Sequence, residues 1–309
     1  MARVAPACAS HCLAVVVENV AVARDTYRLK LADPLLASLI KPGQFVMIRP
    51  GPEGSTDPLL GRPLALYDVV RDSTGKATEI EVVYLVVGRG TAALAQRRPG
   101  ERLAIWGPLG NGFGSPPAAP VVFVAGGIGQ TPFLALGRWW LGKARYGEGP
   151  DGGAGQRGDA GGAGMAPDAV ASSATLLYGV RTAALLAGVD DFRLAGIDVE
   201  LATDDGSAGH HGFVTELLAR RLERGEQPAL VVGCGPLAML IALARLVERY
   251  NLECQVSLEN HMACGFGACF SCVVPIRQAD GSTDLRRVCL DGPVISSHLV
   301  DWSGMHQQT

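Results

Sequence analysis

Four cysteines close together in the sequence have the residue type and spacing of a metal site. Cys264, Cys269 and Cys272 are separated by four and two residues, and Cys289 follows after sixteen more. This is the plant-type spacing in which four thiolates hold a 2Fe-2S cluster. A structural zinc site is the alternative, but such sites usually pair two Cys-x2-Cys knuckles, and this segment contains one. We therefore expect the four cysteines to be iron ligands.

A glycine-rich turn follows an apolar run at residues 120–125 and precedes a helical pattern from residue 132. Glycines at such a turn let a pyrophosphate approach the backbone at the helix N-terminus, where N–H groups are unpaired. A second turn, at 233–236, ends a later apolar run, where open α/β sheets place their ligand crevice. In that turn Cys234 could face a nicotinamide or fill space, and the two alternatives are equal. The residues predicted to bind NAD are Gly126, Gly127, Ile128, Gly129, Thr131, Pro132, Gly233, Cys234, Gly235 and Pro236.

An arginine and a predicted helix start indicate a second phosphate site. Arg62 is suited to bidentate phosphate binding, and Gly90-Thr91, before a helical pattern over 92–97, supplies N–H and hydroxyl donors. Alone, Arg62 would more often be a surface charge, but beside a nucleotide-binding sheet a flavin pyrophosphate is the better interpretation. The residues predicted to bind FAD are Arg62, Pro63, Leu64, Ala65, Tyr84, Leu85, Val86, Gly90 and Thr91.

The elements that must position these residues begin with a β-rich segment. Six short apolar runs, separated by turn residues, are typical of an antiparallel barrel or sandwich. We place a FAD-binding β-barrel domain over residues 1–116. The runs lie at 13–17, 27–31, 45–48, 64–70, 80–87 and 102–106.

The pattern then changes to apolar runs that are mostly followed by helix-like segments, which predicts a doubly wound parallel α/β sheet over 117–251. Half of residues 147–164 are glycine, so we expect a flexible surface insertion there. Residues 252–309 are loop-rich and few, and we expect the cluster to staple them into a small 2Fe-2S domain.

Composition excludes several classes of protein. With 27 Lys and Arg against 30 Asp and Glu among 309 residues, a broad cationic surface for nucleic acid is not indicated. The longest charge-free apolar stretch, 228–244, is interrupted by the 233–236 turn and is too short for a membrane span. The first residues lack the apolar stretch of a secretory signal. We therefore expect a cytoplasmic protein, in which crowded cysteines indicate metal rather than disulfides.

Together the motifs resemble the ferredoxin-NADP reductase superfamily over about residues 13–250. The resemblance rests on Arg-Pro-x-x-x-x-Asp from Arg62 to Asp68, Gly-x-Gly-Thr at 88–91 and the two glycine turns. The stretch SLENHMACGFGAC at 257–269, with Asp-Gly-Pro-Val at 291–294, is similar to electron-transfer subunits of type 1B dihydroorotate dehydrogenases. With it the resemblance covers nearly the whole chain.

The resemblance implies an NAD-linked flavin and iron-sulfur oxidoreductase subunit. A nicotinamide exchanges two electrons at once and a 2Fe-2S cluster accepts one, so FAD is expected between them. The implied partner is an FMN-containing catalytic subunit that oxidises dihydroorotate to orotate in pyrimidine biosynthesis, in a heterotetramer with two copies of each subunit. Nothing in this sequence looks like a pyrimidine site, and we assign no catalytic side chain.

The residues leave some points open. The family usually has serine where this chain has Ala65, which affects the tuning of the flavin. Arg181 could contact an adenosine 2'-phosphate or only the ribose, so NAD over NADP is a family-level preference. Glu259 and His261 suit proton carriers, but a structural role or a partner contact is the more frequent explanation. The alternatives are a subunit of a hydrogenase or a ferredoxin-dependent transhydrogenase, or, in another class, a non-catalytic redox sensor or zinc-stapled module.

Overall fold

The computed structural model describes residues 9–149 and 169–305. Most of the predicted glycine-rich insertion lies outside the described residues, as does Cys8. Among the helices of the described part, none has the length and apolar character needed to cross a membrane.

The first part of the chain forms a seven-stranded antiparallel sheet in the order β4-β3-β7-β1-β2-β6-β5. Two short helices cover it, α1 (Pro34–Leu39) and α2 (Arg89–Ala95). The strands are β1 (Ser10–Ala23), β2 (Thr26–Ala32), β3 (Phe45–Ile48), β4 (Arg62–Ala65), β5 (Asp68–Arg71), β6 (Ala77–Leu85) and β7 (Arg102–Leu109).

The link between β4 and β5 closes this sheet into a barrel. One strand over 64–70 was the expectation, and it is wrong, because the chain turns at Leu66 and Tyr67. The N–H of Leu66 donates to the Gln44 carbonyl at 3.0 Å, and the N–H of Tyr67 donates to the Glu81 carbonyl at 2.8 Å. Adjacent residues thus reach opposite edges of the sheet, and the predicted antiparallel barrel is confirmed.

The second part forms a seven-stranded sheet in the order β11-β10-β9-β8-β12-β13-β16, parallel except for its last pair. Its strands are β8 (Val121–Gly126), β9 (Ala174–Val180), β10 (Asp198–Thr203), β11 (His210–His211), β12 (Leu230–Cys234), β13 (Cys254–Ser257) and, after the hairpin β14 (Val273–Arg277) and β15 (Thr283–Arg287), β16 (Val294–Ser296). The helices are α3 (Phe133–Trp140), α4 (Val189–Leu194), α5 (Val214–Glu223), α6 (Leu237–Arg249), α7 (Val288–Asp291) and α8 (Trp302–Met305).

The central strands of this sheet are apolar throughout because helices cover both faces. Every residue of β8 and β12 is buried. From β8 the chain continues to β9 on one side, while β12 pairs on the other, so the order reverses at β8. The predicted doubly wound sheet is confirmed. Strands β13 and β16 also belong to it, although they lie beyond residue 251, and the domain boundaries at 116 and 251 stay predictions.

A side chain joins the barrel to the end of this sheet. Beyond β7, the amide of Asn111 donates to the Val294 carbonyl at 2.7 Å and accepts from the Val294 N–H at 3.0 Å. The Asn111 backbone N–H also donates to the Gly292 carbonyl at 2.6 Å. Asn111 therefore pairs with β16 as a neighbouring strand would.

We expect Asn111→Ala to loosen β16, because both side-chain hydrogen bonds to Val294 are lost. Hydrogen exchange of the Val294 amide should accelerate about tenfold, the equivalent of one net hydrogen bond. Asn111→Asp keeps the acceptor for the Val294 N–H and should lie between Asn111→Ala and the unaltered chain. Mass spectrometry of the peptide that contains Val294 measures the rate. Equal rates in all three proteins would contradict this role.

Candidate functional site

The arginine of the predicted flavin site lies against the first turn of α2. A Cβ atom on Gly90 would lie 2.6 Å from Nε of Arg62, so a side chain there would displace the guanidinium. Nη1 of Arg62 donates to the carbonyls of Leu60 and Gly61 at 3.0 and 3.1 Å. Within the described residues, Nε and Nη2 have no hydrogen-bond partner. The guanidinium is therefore held in place by one nitrogen, with the others free to donate to a phosphate.

The hydroxyl of Thr91 was predicted to donate to a phosphate, but it bonds to the backbone of its own loop. It accepts from the N–H groups of Val87 and Gly88 at 2.9 and 3.2 Å and donates to the Gly88 carbonyl at 3.1 Å. These bonds shape the loop before α2 and occupy the hydroxyl. The backbone N–H of Thr91 is still predicted to bind the flavin.

The other flavin candidates differ in their exposure. Tyr84 is buried in the barrel, where its hydroxyl donates to Oδ1 of Asn19 at 3.0 Å and burial raises its pKa. Leu64 is buried in the same core. The Tyr84 and Leu64 side chains therefore support the site from inside the barrel. Candidates that keep some surface are Pro63, Ala65, Leu85 and Val86.

The two glycine turns of the predicted nucleotide site are in contact. A Cβ atom on Gly129 would lie 2.3 Å from the Cys234 carbonyl oxygen, and one on Gly126 would lie 2.8 Å from Cδ of Pro236. Gly127 has a φ of +57° and nothing within 4 Å of its Cβ position. The turns thus interlock at the carboxyl ends of β8 and β12, with open space above Gly127 at the switch point of the sheet.

The remaining nucleotide candidates line the same turns. Ile128 is partly exposed and Pro236 is exposed, whereas Thr131, Pro132, Gly233 and Gly235 are buried. A Cβ on Gly233 would lie 2.4 Å from Leu243, so Gly233 serves the packing of α6 on the sheet.

Cys234 is a buried thiol beside an acidic residue. Burial raises its pKa well above the usual range, and the nearby charge of Glu259 adds to the increase. The pKa of Glu259 is itself raised by desolvation. Cys234 is therefore a neutral thiol at neutral pH.

Sequence reasoning missed Gln130, which lies in the same turn. Its side chain is fully buried, and among the described residues neither its amide oxygen nor its amide nitrogen has a hydrogen-bond partner. Its position directly after Gly129 is the one signal in the sequence that points to it. Such a buried amide requires a partner, because an unsatisfied polar group is costly.

Two of the four predicted iron ligands are in direct contact. The Cys289 N–H donates to the Cys272 sulfur at 3.5 Å, and Cys264 is among the neighbours that lower the pKa of Cys269. Within the described ranges, no three metal-ligating side chains gather around a single ion position. A 2Fe-2S cluster takes two thiolates on each iron, and four cysteines at this spacing supply that number.

Two of these thiols favour the ionised form. A hydrogen bond with Ser271, 3.1 Å from the sulfur, and backbone N–H groups lower the pKa of Cys269 to about 6. A hydrogen bond with Cys289 lowers the pKa of Cys272 to about 6. Thiolate is the form that binds metal, so the pockets suit iron ligation.

The cysteine loop packs on the flavin barrel. Nε1 of Trp106, on β7, donates to the Cys264 carbonyl at 2.8 Å. A Cβ on Gly265 would lie 2.5 Å from Cγ of Met47, and Met47 pairs with Pro63 across β3 and β4. The sequence held no signal for Trp106 or Met47. They bring the cysteine loop to the strand next to the predicted flavin residues.

The antiparallel barrel carries an arginine, the parallel sheet carries two interlocked glycine turns, and a loop with four thiols packs on the barrel. These features define a reductase of the ferredoxin-reductase type with its own iron-sulfur segment. Solved structures share the fold. A structure described as an NADH-dependent reduced ferredoxin-NADP oxidoreductase superimposes with a TM-score of 0.75 at 24% identity, covering 96% of this chain and 92% of that one. Phthalate dioxygenase reductase gives 0.53 at 15% identity, covering 90% and 76%.

Residues 259–301 match the family model of the iron-sulfur cluster binding domain of dihydroorotate dehydrogenase B. The electron transfer subunit of dihydroorotate dehydrogenase B (NAD(+)) from Desulforamulus reducens is 33% identical over 91% of this chain and 94% of its own length. That from Bacillus caldolyticus is 35% identical over 88% and 91%. The chain belongs to the family of dihydroorotate dehydrogenase B electron transfer subunits.

We expect Gly90→Ala to weaken FAD binding, because its methyl group would displace the Arg62 guanidinium. Arg62→Gln should raise the dissociation constant of FAD about 10- to 100-fold, as for a lost charge-assisted hydrogen bond. Gly88→Ala is the matched control, since nothing lies within 4 Å of its Cβ position. Flavin fluorescence titration measures the constants. If Gly88→Ala weakened binding as much as Gly90→Ala, the contact with Arg62 would be irrelevant.

We expect Gly129→Ala to separate the two glycine turns, because its Cβ would overlap the Cys234 carbonyl. The rate of flavin reduction by NADH should fall about 100-fold, as for a reactant misplaced by an ångström, while bound FAD is retained. Gly114→Ala, at a position with open space around it, serves as control. Anaerobic stopped-flow absorbance measures the rates, and an unchanged rate in Gly129→Ala would place the nicotinamide elsewhere.

Proposed function

We propose that this chain passes electrons between NAD+ and an FMN-containing subunit that oxidises dihydroorotate to orotate. Family membership over nine-tenths of the chain supports the reaction. The electron path is supported by the contact between the cysteine loop and the barrel, where the Trp106 indole bonds to the Cys264 carbonyl. When bound, FAD supplies the exchange between hydride transfer with the nicotinamide and single-electron transfer with the 2Fe-2S cluster.

We propose that Cys264 and Cys269 hold one iron of the cluster and that Cys272 and Cys289 hold the other. The lowered pKa of Cys269 and Cys272 fits this ligand set. The Cys289 N–H donates to the Cys272 sulfur at 3.5 Å, and such bonds stabilise the negative charge of the ligands.

The flavin pyrophosphate would accept hydrogen bonds from Nε and Nη2 of Arg62, beside the first turn of α2. The pyrophosphate of NAD would lie over Gly127, where the backbone is open. The neutral Cys234 thiol next to this site offers no charge to a nicotinamide. Protein side chains thus bind and orient the reactants, and none is needed as a general base.

The cysteine loop also offers a surface for the partner subunit. Phe266 and Phe270 are 53% and 60% exposed on either side of the exposed Cys269. Exposed aromatic side chains of this kind are typical of protein interfaces. We propose that the FMN subunit contacts the chain here, in a cytoplasmic heterotetramer, and that NAD is preferred over NADP.

The test is an anaerobic visible spectrum of the purified chain before and after NADH, with iron, sulfide and flavin assays. Flavin and 2Fe-2S absorption should both bleach. Cys272→Ser should lose the cluster absorption and keep the NADH-dependent bleaching of flavin, because the flavin and nucleotide sites are separate from Cys272. Cys12→Ser is the matched control, since that thiol bonds to Asp33 on the barrel. Zinc in place of iron, or flavin that NADH leaves oxidised, would refute the proposal.

The same samples test the partner. Mixed with the FMN subunit of the same organism, the chain should transfer electrons from dihydroorotate to NAD+, and Cys272→Ser should abolish this transfer. Transfer that survives the loss of the cluster would remove the cysteine loop from the path.

A further inference from the structure

Arg287 lies at the centre of the cysteine segment although it is not a ligand. It ends strand β15, where it pairs with Val273 of β14, next in sequence to Cys272. Two residues later the chain reaches Cys289. The hairpin thus places Arg287 beside the third and fourth cysteines, with 24% of its side chain exposed.

The guanidinium extends along the loop that carries the other cysteines. Its Nη1 donates to the Gly267 carbonyl at 3.0 Å. Its central carbon lies 4.8 Å from the centre of the Phe270 ring, which is a cation–π contact. Phe270 has a φ of +57°, unusual for a residue with a side chain. Arg287 therefore supports both a hydrogen bond and a strained backbone in this loop.

Gly267 links Arg287 to the loop that carries two of the ligands. Its carbonyl accepts from Nη1 of Arg287, and Gly267 lies between Cys264 and Cys269 in the chain. A loop without the Arg287 bond would be free to change the direction of its backbone N–H groups. Hydrogen bonds to the sulfurs are among the factors that set the potential of an iron-sulfur cluster.

The charge of Arg287 acts in the same direction. Reduction of a 2Fe-2S cluster adds one electron and so one negative charge, which a half-buried cation stabilises. The carboxylate of Asp291 offsets part of this charge, but it lies 3.8 Å from Nε, while Nη1 points to the loop. Arg286, next in sequence, pairs instead with Asp284 at 3.1 Å.

We propose that Arg287 is a positioning residue that raises the reduction potential of the cluster by holding the loop of Cys264 and Cys269 through Gly267 and by its own charge. This inference rests on the proposed 2Fe-2S cluster.

The experiment is a dithionite titration of the purified chain, with the reduced cluster followed by electron paramagnetic resonance. Arg287→Gln should shift the midpoint potential to a more negative value, with iron and sulfide content unchanged. Arg286→Gln removes the same charge from the neighbouring position and should leave the potential at that of the unaltered chain. Equal potentials in the two variants would overturn the inference.

Arg287→Lys tests the part that geometry plays. Lysine keeps the charge and loses the planar fork, so its potential should lie between those of the unaltered chain and Arg287→Gln. If Arg287→Gln loses its cluster, the midpoint potentials of Arg287→Lys and Arg286→Lys are compared instead. The potential of Arg287→Lys should be the more negative, and equal potentials would overturn the inference. A cluster signal missing from the unaltered chain would instead refute the proposed function.

Discussion

The hydrogen bond from the Trp106 indole to the Cys264 carbonyl is the interaction on which the arrangement of the three sites depends. It joins a barrel strand to the cysteine loop at 2.8 Å, and Met47 fills the space beneath Gly265. Electron transfer weakens steeply with distance. A loop that detached from the barrel would keep its four thiols and lose its path to the flavin. The Trp106 indole takes no part in the redox chemistry, but the function of the four cysteines depends on its hydrogen bond.

The same residue type performs different chemistry according to its surroundings. Cys234 is buried beside an acidic side chain and stays protonated, while hydrogen bonds lower the pKa of Cys269 and Cys272 to about 6. Desolvation acts against the thiolate in the first case, and donated hydrogen bonds favour it in the others. The chain thus keeps an uncharged thiol at its nucleotide turn and ionisable thiols in its cysteine loop.

Features specified by neighbouring residues could be predicted from the sequence. The cysteine spacing, the glycine turns and the apolar runs of the central strands are local, and the predicted barrel and doubly wound sheet followed from them. The turn at Leu66 and Tyr67 was missed because apolar residues continue through it. Trp106, Gln130 and the occupied hydroxyl of Thr91 were missed because their roles depend on contacts that only the folded chain creates.

The pairing of Ser257 with Val294 gives the cysteine segment fixed ends. Residues 258–293 leave the sheet at β13 and return at β16, its direct neighbour, so the segment is an excursion from one edge whose two ends are already closed. The pairing of β13 with β16, rather than the iron ligands, therefore offsets the entropy cost of closing the loop. Loss of metal would therefore relax the cysteine loop, while the pairing of β13 with β16 keeps both ends of the segment on the sheet.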